Sequence, residues 1–230
     1  MEIISVRKGF TADHSSTSYE FLAIDKPLTQ KDIDEVSSLS SRATPDDRAV
    51  KFFYNGDFND LPGGWWPLME KHYDILYSES YDWWLFAVAF SESDPVKQKE
   101  ISRYAFYGLE DLGVNINIVD DRIIVSFSCI LDYGEAHEIL DSNNSYGYKN
   151  KKNNLKDNLK YDPLFQLLAD IREQLLKEDY RVFDVFWHEY GQLLYSQEEI
   201  KELELPYTNE FDHDSLPNNL QYLARLLRRI

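Results

Sequence analysis

Basic side chains are scarce in this chain: 24 Lys and Arg stand against 41 Asp and Glu over 230 residues, a formal charge of −17. A deficit of that size works against direct nucleic-acid binding, because affinity for a polyanion comes from neutralising phosphates with Lys and Arg. Cysteine is nearly absent. Cys129 alone cannot close an internal disulfide or supply a multi-thiolate zinc site, and a reducing, cytoplasmic setting is the expectation. No apolar run is long enough to cross a membrane. The opening residues Met1-Glu2-Ile3-Ile4-Ser5-Val6-Arg7-Lys8 lack the cationic start and apolar stretch of a secretory leader. Glycine-rich phosphate loops are missing as well.

Aromatic residues, by contrast, are plentiful. Sixteen Tyr, thirteen Phe and five Trp exceed what a solvated acidic tail would carry, so the chain is expected to fold around them. The acid is unevenly placed. Residues 61–140 hold 14 acidic and 5 basic side chains, whereas residues 141–160 hold 2 and 5. This basic stretch is also rich in Asn and Ser, which compete with regular structure through local hydrogen bonds. It divides the chain into a domain over 1–140, a loop or linker over 141–160 and a third part over 161–230.

Ahead of the loop, strand and helix patterns alternate. Tyr19 to Ile24 and Val50 to Tyr54 read as strands. Between them, Thr29 with Asp32 three residues on resembles a capping box that opens a helix. A short helix is expected through Trp66 and Met69, and a buried strand from Trp83 to Phe90. A further helix is expected over Ser102 to Leu112. Val114 to Ile118 and Ile123 to Cys129, joined at Asp120-Asp121, form the clearest hairpin. The order strand-helix-strand-helix-strand, then helix and hairpin, predicts an α+β fold with helices on one mixed sheet. Residues 161–230 read as a helical extension packed on that sheet. Asp162-Pro163 is a helix start, Ser196 with Glu199 is a second capping box, and Leu220, Leu223, Leu226 and Leu227 line a final helix.

Few residues suggest chemistry. Asp13, His14, Ser15 and Ser16 form a histidine-hydroxyl stretch that suits an anion or an acid–base role, with turn formation as the bland alternative. His14 and Ser16 are the weak catalytic candidates. Cys129 with His137 could be a nucleophile and its base, but a thiol closing an apolar strand is usually packing. His188-Glu189 starts a zincin pattern that fails at Gln192, where the second His is needed. Asp212-His213-Asp214 sits between prolines and suits a cap better than a metal. No metal or cofactor is therefore expected.

The acidic, aromatic segment is the candidate binding surface: Trp65, Trp66, Tyr73, Asp74, Tyr77, Glu79, Tyr81, Asp82 and Trp83. Trp and Tyr dominate interface energetics, and carboxylates among them would favour a cationic partner. The leading expectation is a non-enzymatic protein-binding module of inhibitor, immunity or adaptor type, engaging a basic protein partner. The alternatives are an enzyme or anion-binding domain built on the Asp13 to Ser16 loop, and a structural subunit of a larger assembly.

Overall fold

The computed structural model describes residues 16–41, 43–55, 61–108, 111–141, 162–203, 205–207 and 211–228. Strand β1 (Ser16–Leu22) is followed by helix α1 (Gln30–Ser38), β2 (Ala49–Asn55), α2 (Trp66–Lys71), β3 (Ile75–Ser80) and β4 (Trp83–Ser91). Next come α3 (Pro95–Ser102), β5 (Phe106–Tyr107), β6 (Gly113–Val119), β7 (Arg122–Ile130) and α4 (Tyr133–Asp141). The C-terminal part contributes α5 (Pro163–Leu176), α6 (Arg181–Glu189), α7 (Gln197–Glu202) and α8 (Asn218–Leu227). No described helix is long and apolar enough to cross a membrane.

The seven strands form one sheet in the order β2-β1-β3-β4-β7-β6-β5. The α+β class is as the sequence implies, but the sheet is not mixed: every described pairing is antiparallel. The physical reason is the presence of β3. Ile75 to Ser80 forms a hairpin with β4, so the chain returns beside itself and needs no helical crossover there. The helix expected over Ser102 to Leu112 lies earlier, at Pro95–Ser102. Asp94 caps it by accepting from the Val96 N–H, and Pro95 sits in its first turn. The chain then extends into β5.

Strand alternation sorts the core into two layers. Phe86, Val88, Phe90, Val125 and Phe127 face one side, against Leu168, Ile171, Phe183, Phe186 and Leu223 of the C-terminal helices. Phe21, Phe52, Leu76, Ala87 and Ile124 face the other, against Val36, Leu68, Met69 and Tyr73. Each large buried ring contributes about 1.5–3 kcal/mol by leaving water. Small residues at Ala87 and Ala89 leave room for Met69 and Tyr73 over the sheet centre.

Caps fix the helix starts. Thr29 with Asp32 and Ser196 with Glu199 both form complete capping boxes. Asp162 accepts from the Leu164 and Phe165 N–H groups at the head of α5. Arg172 on α5 is 6% exposed and donates to the Ala89 carbonyl at 2.7 Å and to Asp25 at 2.5 Å. That pair of bonds ties α5 to β4 and to the turn that follows β1. Gly113 has φ +130°, and a Cβ there would lie 2.3 Å from the Phe106 carbonyl oxygen, so only glycine lets β5 close on β6. Apart from Asp141, the expected 141–160 loop falls outside the described residues.

Candidate functional site

Several residues expected on a binding surface are internal. Tyr73 is fully buried, and burial pushes its phenol well above the ordinary range, with the Asp46 and Asp32 charges adding to the effect. Tyr77 is 7% exposed and donates to Asp162 Oδ2 at 2.7 Å; burial first, then the Asp162 charge, keeps it protonated. Its ring also packs edge-on against Phe165. Both tyrosines lie in or just before β3, and that strand turns its apolar positions into the two core layers.

Asp74 is 4% exposed and works as a clamp. It accepts from the Ile24 and Asp25 N–H groups at 2.7 and 2.9 Å and from Arg122 at 3.1 Å. Arg122 in turn donates to the Met69 and Tyr73 carbonyls. The carboxylate therefore belongs to the fold. Trp65 and Trp66 pack T-shaped, 5.3 Å between centroids, at the edge of the layer containing Phe21 and Met69. That layer lies across the sheet from the remaining candidates.

What remains gathers at one corner. The two-residue turn Tyr81-Asp82 joins β3 to β4, and the Leu131 N–H donates to the Asp82 carbonyl at 2.8 Å. This bond holds the end of β7 beside the turn and so brings Tyr133, the first residue of α4, next to Tyr81. The two rings stack with centroids 5.9 Å apart and planes 14° apart. Both stay open to solvent, 46% for Tyr81 and 44% for Tyr133. Each is adjacent in sequence to a carboxylate, Asp82 and Asp132. Glu135 and Glu138 are exposed on α4.

Beneath the stacked pair lies a polar pair. His137 Nε2 is 3.0 Å from Glu79 Oε1, and its ring contacts Tyr133 at 4.4 Å and Trp84 at 5.7 Å. Glu79 stands in a cross-strand row with Ser18, Trp84 and Cys129. Of the Trp doublet, Trp84 is 2% exposed while Trp83 is half-buried, and both pack against the cluster under the C-terminal helices. Cys129 is fully buried in the core. The Trp84 indole, paired with it across β4 and β7, packs on His137. The carboxyls of Asp82, Glu135 and Glu138 meet no cationic partner among the described residues. Their charge is therefore left uncompensated on the segments that carry the two open rings.

Tyr81 has a further peculiarity. Its φ is +56°, in the left-handed region that suits Gly or Asn, and for a bulky ring this conformation is uncommon. A turn selected only for stability would carry Gly or Asn there.

The other candidates are structural or out of view. Asp13, His14 and Ser15 lie outside the described residues, and Ser16 begins β1, paired with Asn55. His188 stacks on Phe211 at 4.6 Å and its Nδ1 lies 3.1 Å from Gln192 Nε2, the residue at which the zincin pattern fails. Asp212 caps a short 3-10 turn, and His213 pairs with Glu189 at 2.9 Å. Sequence reasoning missed Tyr133 and His137 as partners of Tyr81 and Glu79. Their only sequence signal was the run Asp132-Tyr133-Gly134-Glu135, which repeats the acid-plus-ring pairing of Tyr81-Asp82.

No protein-family model matches this chain, and comparisons with curated proteins and with solved structures give no match.

Proposed function

We propose that this protein is a non-enzymatic acidic binding module that engages a basic protein partner at the corner formed by the β3–β4 turn and the start of α4. The observation that carries the reading is the open Tyr81–Tyr133 stack, each ring next in sequence to a carboxylate, Asp82 or Asp132. Open aromatic faces attract cations through their quadrupole, and adjacent carboxylates add Coulombic attraction. The overall charge of −17 supports long-range steering of a positive partner and disfavours a polyphosphate. The reading is common to inhibitor, immunity and adaptor roles.

A fluorescent peptide rich in Lys and Arg tests it against a peptide of the same length rich in Glu. The basic peptide is expected to bind, and to lose affinity several-fold between about 50 and about 300 mM salt as surface charges are screened. The variant Tyr81→Ala/Tyr133→Ala keeps the net charge, so generic attraction survives in it while site-specific binding does not. Equal affinity of that variant and the parent protein would overturn the proposal.

A further inference from the structure

We infer that the cation seated at this corner is the guanidinium of an arginine rather than the ammonium of a lysine. The inference rests on the binding reading above and names the chemistry of the partner. The two rings lie within 14° of parallel and each is nearly half open, so the corner offers solvent the flat surface of stacked rings instead of walls set at an angle to one another. A flat cation stacks on such a surface across its whole plane, whereas a compact ammonium touches it at one point and gives up more hydration in doing so. The carboxylates point to the same choice. Asp82 follows Tyr81 and Asp132 precedes Tyr133 in sequence, and the two segments carrying them are held together by the Leu131 N–H to Asp82 carbonyl bond at 2.8 Å.

One oxygen of Asp132 is already committed, accepting from the Glu135 N–H at 2.9 Å. Asp82 has no such bond, which leaves its carboxylate free to accept two parallel N–H groups from a guanidinium fork. Glu79 is occupied by His137 and does not compete for the ligand. A guanidinium can thus combine stacking on a tyrosine ring with a forked bond to Asp82, a combination an ammonium cannot make.

Two peptides of equal length and charge, one with arginine and one with lysine at every basic position, separate the possibilities. The arginine peptide is expected to bind about tenfold more tightly, since stacking and forked hydrogen bonds are available only to it. The preference should vanish in Tyr81→Ala/Tyr133→Ala and shrink in Asp82→Asn. Equal affinities that both fall in the double tyrosine variant would overturn the arginine assignment while leaving the corner as a cation-binding surface. Binding of neither peptide would remove the corner itself and the assignment with it.

Discussion

Replacing Asp74 by alanine is expected to cost about 3–5 kcal/mol of folding stability, the loss found when one partner of a buried ion pair is removed. The substitution strands three groups at once. Arg122 loses its only carboxylate partner among the described residues, and the Ile24 and Asp25 N–H groups lose their acceptor. The backbone of Asp74 bridges the sheet as well, through Asp74 N–H to the Leu22 carbonyl and Ala89 N–H to the Asp74 carbonyl. Water reaches little of this site, so solvent offers poor compensation. Denaturant titration of Asp74→Ala should show a much lower midpoint with the same slope. Arg122→Met in the Asp74→Ala background should cost less than the sum of the single changes, because it removes the stranded charge. The folded fraction of Asp74→Ala should still bind a basic peptide at parental affinity. A parental midpoint would contradict the clamp, and selective loss of binding would return Asp74 to the interface.

Tyr81→Gly should do the reverse, with little change in stability and a large loss of binding. Releasing an L-residue from left-handed backbone returns about 1–2 kcal/mol. Losing the stack on Tyr133 costs about 0.5–1.5 kcal/mol, so the two effects nearly cancel. The melting temperature is therefore expected to stay within a few degrees of parental. Binding should weaken by about 2 kcal/mol or more, roughly 30-fold, as for an anchoring aromatic at an interface centre. A stable variant with undiminished binding would show that Tyr81 occupies its unfavourable backbone for another reason.

The helix starts were the most legible part of this molecule, because a cap is a local device. Thr29 with Asp32, Asp162 with Pro163 and Ser196 with Glu199 each need only neighbouring residues to be recognised. Asp94-Pro95 carries the same local signal at the start of α3. Strand β3 was hidden by its composition. Asp74, Glu79 and three tyrosines around it suggest a solvated surface, although Ile75, Tyr77 and Glu79 alternate with Leu76 and Ser78 in strand period. Missing β3 also made a mixed sheet plausible.

The binding corner was half legible. Tyr81 and Asp82 stand out in sequence, but which other residues join them depends on register. The Trp83 to Ile130 pairing and the Leu131 bond carry Tyr133 to Tyr81, and no local pattern encodes that contact. Tyr73, Asp74 and Tyr77 show the converse. Their acid-plus-ring pattern resembles that of Tyr81-Asp82, yet they lie where the sheet is covered on both faces.

Chemical-shift mapping with the arginine peptide on isotopically labelled protein is the most direct trial of where the partner sits. Residues 79–84 and 131–138 should move together, with the Tyr81 and Tyr133 rings showing the largest changes. Shifts scattered over the acidic surface, or centred on the far face near Trp65 and Trp66, would contradict it.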